Sequence, residues 1–205
     1  MPSPSRTTIP MGKMTLEDGN ALLIVDLQRD FLPGGSVPVA GGDAIVPVVS
    51  RYLATWSAHG MPIFLSRCWH PPDHCSFRAR GGPWPAHCVA GTPGAEFAPG
   101  LEIPAGAVVV SKATEPDREA YSAFDGTDLD GRLRRLGTTQ LFVGGLATDS
   151  GVLATVRDAI ERGYTAIVLG DAIRAVDATP GDGAVAERAM DEHGARLISL
   201  ETLGL

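Results

Sequence analysis

The chain has 205 residues, 44% of them hydrophobic, with 25 glycines and a net charge of −7, which suits one globular domain with a sizeable core. No Lys/Arg cluster offsets the acidic balance, and this argues against nucleic acid and anionic membranes as partners. No run approaches the roughly 20 apolar residues that span a bilayer, and the N-terminus lacks the apolar stretch of a signal peptide. The cysteines, Cys68, Cys75 and Cys88, crowd into one segment beside histidines, which suits free thiols or metal ligands in a reducing compartment. A cytoplasmic location is expected, with residues 1–17 a flexible N-terminal segment and 18–205 one domain.

Ala21–Leu27 is a short apolar run with one carboxylate near its end, the pattern of a strand buried on both faces with Asp26 at its C-terminal end. From Asp43, a candidate helix cap, residues Ile45, Val48, Val49, Tyr52, Leu53 and Trp56 recur at helical spacing. Pro47 falls in the tolerant first turn and Gly60 closes the segment. Pro62–Ser66 gives a second strand, and strand, helix, strand is the unit that builds parallel sheets. Cys68–Pro104 is too dense in proline and glycine for a helix or a central strand, so it is expected to be a long, shaped, functional loop. Alternation resumes with a strand at Ala107–Ser111, a short helix at Leu129–Leu136, a strand at Gln140–Gly144 and a helix at Asp149–Arg162. Strands at Ala166–Gly170 and Arg196–Leu200 then flank a helix from about Gly183 to Glu192. Six strands alternating with helices predict an α/β fold, a doubly wound, mainly parallel six-stranded sheet with helices on both faces.

In open parallel sheets, ligands gather beyond the carboxyl ends of the strands where the strand order reverses. Four distinctive spots fall at such ends: Asp26, the stretch from Cys68 to His74, Lys112, and the turn from Gly145 to Gly151. Each alone reads as a turn former or a solvated charge. Their shared placement points to a site.

The stretches Asp26-Leu-Gln-Arg-Asp-Phe-Leu-Pro-Gly-Gly-Ser36, Trp69-His-Pro-Pro-Asp-His74, Trp84-Pro-Ala-His-Cys-Val-Ala-Gly-Thr-Pro-Gly-Ala-Glu-Phe97, Lys112 with Tyr121-Ser-Ala-Phe124, and Gly145-Leu-Ala-Thr-Asp149 occur in order between about residues 20 and 200. Together they resemble the nicotinamidase/pyrazinamidase branch of the isochorismatase-like cysteine hydrolases. The resemblance implies hydrolysis of nicotinamide to nicotinate and ammonia through a thioester. Asp26 would accept the thiol proton, and Lys112 would hold the carboxylate and the developing charge. Backbone N–H groups of Ala147 and Gly151 would form the oxyanion hole, and the Leu146–Ala147 bond would be cis. Phe31, Trp84 and Tyr121 match positions that wall a flat heteroaromatic ring, although each alone reads as core packing.

Two departures matter. The family's Thr-Asp-X-Cys-Val reads Thr148-Asp149-Ser150-Gly151-Val152, so the nucleophile position holds glycine. Ser150 is a neighbour on a turn entering a helix, and its side chain is expected to point roughly 100° away. The family's metal site, an Asp-X-His motif with two further histidines, reads Cys68, His70, His74 and His87. One divalent ion is expected, with zinc favoured because thiolate is softer than carboxylate. Cys75 and Cys88 read as small buried filler. The leading expectation is an amidohydrolase scaffold, lost or altered in activity, for a small heteroaromatic amide. An isochorismatase-type hydrolase working without a thiol and a catalytically silent binding protein stand as alternatives. A homo-oligomer stays open.

Overall fold

The computed structural model describes residues 15–203, so the segment expected at 1–17 falls largely outside the described residues. Six strands, β1 (Asn20–Val25), β2 (Ile63–Cys68), β3 (Val108–Lys112), β4 (Gln140–Leu146), β5 (Thr165–Arg174) and β6 (Arg196–Ile198), form one sheet in the order β3-β2-β1-β4-β5-β6. Every neighbouring pair is parallel. The helices are α1 (Val46–Ala58), α2 (Leu129–Arg135), α3 (Leu153–Glu161), α4 (Asp182–Glu192) and the short α5 (Leu200–Leu203).

Strand β1 shows why the sheet is covered on both sides. Its residues are all buried, and the side-chain period of two sends alternate residues to opposite faces. Leu22 and Ile24 pack with Val49, Tyr52, Leu53 and Trp56 of α1. Leu23 and Val25 pack with Leu133 of α2, Val156 of α3 and Met190 of α4. Each such side chain contributes about 1.5–3 kcal/mol when fully buried, so both layers are held by apolar burial rather than by surface ion pairs. Among the described residues, no helix is long and apolar enough to cross a membrane.

Several element ends differ from the sequence expectation, each for a local reason. β1 stops at Val25 because Asp26 takes a left-handed φ of 46° and turns the chain off the sheet. β2 runs two residues beyond Ser66, so Cys68 belongs to the sheet, opposite Lys112 in the β2/β3 register. Asp43 makes no cap bond; a short turn over Gly42–Ile45 precedes α1, and Pro47 sits in the first turn of the helix. The helix expected from Asp149 begins with a wide turn over Thr148–Val152, in which the Val152 N–H donates to Ala147 O at 3.1 Å, before regular α3 starts at Leu153. β5 continues to Arg174 past a register shift between Val143 and Gly145. Leu200 starts α5 instead of ending β6, and its N–H donates to Asp171 Oδ2 at 3.0 Å.

The long segment after β2 is shaped by isolated bridges, His70 with Val89, Phe77 with Trp84 and Gln28 with Phe97. Gln28 is fully buried and fastens this loop to the sheet. Its Nε2 donates to Cys68 O at 2.8 Å and to Ala95 O at 2.9 Å, and its Oε1 accepts from the Cys68 N–H at 2.8 Å.

Candidate active site

The strand order reverses between β1 and β4, and the two strands approach closely there. Gly145 has a φ of 111°, and a Cβ on it would stand 2.0 Å from Val25 O, so only glycine fits. The peptide bond that follows, Leu146–Ala147, is cis, as the resemblance implies. Asp26, Cys68, Lys112, Ala147, Ser150 and Gly151 all border one cavity of about 450 Å³ above this crossing, and Phe31, Trp84 and Tyr121 stand around it. The Trp84 Nε1–H donates to the Tyr121 hydroxyl at 3.4 Å, which links two of the aromatic walls.

A buried ion pair lies on the cavity floor. Lys112 Nζ is 2.9 Å from Asp26 Oδ2 with both side chains at most 5% exposed. The ammonium also donates to Ala120 O at 3.0 Å and to Cys68 Sγ at 3.1 Å, so its three protons are all placed. Asp26 Oδ1 accepts from Ser66 Oγ at 2.7 Å, and Oδ2 faces Cys68 Sγ at 3.6 Å. Burial alone would lower the Lys112 pKa, but the Asp26 carboxylate and the Cys68 sulfur overcome it and hold the ammonium above its usual range. Burial, reinforced by Asp26, pushes the Cys68 thiol up to about 12 against the pull of Lys112.

Gly151 sits on the wide turn, outside the left-handed region, with its missing side chain aimed at the ion pair. A Cβ built there would lie 3.4 Å from Asp26 Oδ2, 3.2 Å from Val25 Cγ1 and 3.1 Å from Leu146 O. The turn is tied down by Asp149, whose carboxylate accepts from the Val176 and Asp177 N–H groups at 3.0 Å each.

The histidines form a second cluster beside the cavity. His70 packs against His74 and His87 with ring centroids 4.4 and 4.7 Å apart. His70 Nδ1 donates to His87 O at 2.9 Å and His87 Nδ1 donates to Pro85 O at 2.9 Å, which leaves each Nε2 as the lone-pair nitrogen. His74 is more committed: Nε2–H donates to Arg118 O at 3.0 Å, and Nδ1 accepts from Ser76 Oγ at 2.7 Å. The donors that converge within 4.8 Å are those of His70, His74 and Glu119. Cys68 falls outside that set because its sulfur is turned to Lys112 and Asp26. Two imidazoles and a carboxylate suit a divalent ion of the zinc type. Cys88 is fully buried and Cys75 half-buried.

Burial lowers the pKa of His70 from 6.5 to about 3 and shifts His87 in the same direction. Below pH 6.5 the unfolded chain takes up protons that folded His70 refuses, so stability present above 6.5 is lost as the pH falls toward about 3. Metal-free protein should therefore show a lower urea midpoint at about pH 5 than at about pH 7.5, and His70→Gln should shrink that difference. An equal pH dependence in the variant would exclude His70 as a source.

Glu119, Gln28 and Ser66 were not singled out by the sequence. Gln28 lies inside the first motif, but nothing in a one-dimensional pattern indicates that it clamps Cys68. Ser66 reaches Asp26 through the β1/β2 pairing. Glu119 is one of several acids after Lys112, and only the chain path brings it to His70.

An all-parallel sheet whose switch point carries a buried acid and lysine under an aromatic-walled cavity defines a doubly wound α/β scaffold with a candidate small-molecule site. Comparison with known proteins places it further. The family model described as the isochorismatase domain matches residues 20–202. The Escherichia coli nicotinamidase is 38% identical over 201 residues, covering 88% of this chain and 94% of that one. The Pyrococcus horikoshii pyrazinamidase, solved in complex with zinc, superposes with a TM-score of 0.85 at 46% identity, covering 88% of this chain and 99% of the other. An L. infantum protein solved in complex with nicotinate has a TM-score of 0.82 at 34% identity, covering 92% and 97% of the two chains. The chain belongs to the isochorismatase family, in its nicotinamidase/pyrazinamidase branch.

Proposed function

We propose that the chain hydrolyses a small heteroaromatic amide of the nicotinamide type, with the ring held between Phe31, Trp84 and Tyr121 and the amide carbon over Asp26. The observation that carries this reading is the buried Asp26–Lys112 pair on the floor of an aromatic-walled cavity, beside the turn that holds Ala147 and Gly151. An amide needs a proton acceptor for the attacking group, a proton donor for the leaving nitrogen and stabilisation of the oxyanion. Asp26 would serve the first two tasks in turn. Lys112 would keep its carboxylate in place and supply positive charge near the developing oxyanion. Backbone N–H groups of Ala147 and Gly151 would receive the oxyanion itself, and such donors are each worth roughly 3 kcal/mol in other hydrolases. The likeness to nicotinamidases supports this substrate class, and so does the relative solved with nicotinate. Calorimetric titration with nicotinamide and a steady-state ammonia assay test it. Saturable binding with ammonia release is expected, and no binding at millimolar nicotinamide would refute the substrate class.

His70, His74 and Glu119 would hold a divalent ion, with His87 beside them, once His74 exchanges the Arg118 carbonyl for the metal. Zinc supplies positive charge able to attract a ring nitrogen. The zinc-bound pyrazinamidase relative supports this choice. Zinc titrated into chelator-treated protein should bind at about one ion per chain, and Glu119→Gln should weaken it at least tenfold, about the loss seen for outer ligands elsewhere. Unchanged affinity in Glu119→Gln would remove Glu119 from the ligand set.

A further inference from the structure

The chain lacks a thiol at position 151 but carries one at Cys68, and both positions address the same carboxylate oxygen. Cys68 Sγ is 3.6 Å from Asp26 Oδ2 and 3.1 Å from Lys112 Nζ. A Cβ on Gly151 would lie 3.4 Å from that same Oδ2. The sulfur is held in place rather than drifting there. Cys68 is opposite Lys112 in the strand register, and Gln28 fixes both its N–H and its carbonyl. Cys68 also borders the aromatic-walled cavity, with 5% of its surface exposed. Cys68 and Gly151 border the same cavity, so a carbonyl bound there beside the turn is offered to the sulfur as well as to Asp26.

Resting on the amide-hydrolase reading above, we infer that Cys68 is the nucleophile of this site: the acid, lysine and thiol are reassembled with the sulfur supplied by β2 instead of the turn before α3. As the Cys68 S–C bond forms to the amide carbon, the thiol proton passes to Asp26 Oδ2 and the carbonyl oxygen takes the electron pair. The C–N bond then breaks, Asp26 returns the proton to the leaving nitrogen and ammonia departs, leaving a thioester. Water adds to the thioester carbonyl while Asp26 takes its proton. The C–S bond breaks, the acid is released, and Asp26 reprotonates the sulfur. The assignment also explains why a residue in a metal-motif position is turned away from the histidines and toward the ion pair.

The test compares the unmodified chain with Cys68→Ala and Cys68→Ser, each checked for folding by its thermal transition. Nicotinamide binding, ammonia release and trapping of a nicotinoyl thioester by hydroxylamine as the hydroxamate are measured on all three. Both variants should bind nicotinamide within about threefold of the unmodified chain and lose ammonia release and hydroxamate formation by at least about 10³-fold, a floor well below the roughly 10⁶-fold that removal of a nucleophile costs in another hydrolase. A smaller loss in the variants would overturn the assignment. So would nicotinamide binding to the unmodified chain without ammonia release, and that outcome would leave the binding pocket standing. Absence of binding to the unmodified chain would overturn the assignment and the substrate class together.

Discussion

Gly151→Cys should release ammonia from nicotinamide on the order of 10²-fold faster than the unmodified chain. The new Cβ would sit 3.4 Å from Asp26 Oδ2, and the backbone at 151 lies outside the left-handed region, so an L side chain is compatible with the turn. Contacts of 3.2 Å to Val25 Cγ1 and 3.1 Å to Leu146 O require shifts of a few tenths of an ångström, the first from a buried side chain and the second from the backbone before the turn. The gain comes from the environment of the sulfur. Cys68 is buried in the sheet and its thiol is pushed up to about 12, whereas a thiol at 151 would stand at the start of the α3 turn, where the N–H groups and Lys112 favour thiolate. A thiol of lower pKa is also a weaker nucleophile, and this offsets about half of the gained thiolate fraction on a logarithmic scale. The check is kcat for ammonia release at matched metal loading in both proteins. Equal rates would mean that a thiol at 151 adds nothing to the attack that Cys68 already makes.

The second large effect is on stability. Lys112→Met should lower the unfolding free energy by about 3–5 kcal/mol, because it leaves the Asp26 carboxylate buried beside Cys68 with no cation. The pair is 2.9 Å apart and at most 5% exposed, so solvent screening offers little relief. For a chain of this size the loss corresponds to a fall of roughly 10 °C in Tm. Adding Asp26→Asn to Lys112→Met should recover more than half of the loss, since the uncompensated charge goes with the carboxylate, while activity stays absent. Differential scanning calorimetry of both proteins checks this. A single variant within about 1 kcal/mol of the unmodified chain would show that the pair is open to water.

Those two positions also show how far the sequence could be read. Asp26 and Lys112 each end an apolar run, and strand ends in a doubly wound sheet converge on one edge, so their meeting follows from pattern and topology. The six strands and their alternation with helices are likewise visible, because short apolar runs and a helical period leave different marks. Element ends were harder. β1 stops early through the backbone twist at Asp26, and α5 starts early through a hydrogen bond that the Leu200 N–H donates to Asp171, 29 residues away in sequence. The orientation of Cys68 was not legible at all. Its neighbours in sequence, Trp69 and His70, suggest a metal loop, but strand register and the Gln28 clamp decide which way the sulfur faces. Glu119 escaped for the same reason, since its relation to His70 exists only after the loop from Lys112 to Tyr121 has folded back over the cavity.

The most direct test of the proposed chemistry is a crystal structure with nicotinamide bound in the cavity. The ring should lie between Phe31, Trp84 and Tyr121, with the amide carbon facing Cys68 Sγ and Asp26 and the amide oxygen turned to the Ala147 and Gly151 N–H groups. Nicotinamide bound with its amide pointing away from Asp26 and Lys112, or a cavity left empty at saturating nicotinamide, would contradict it.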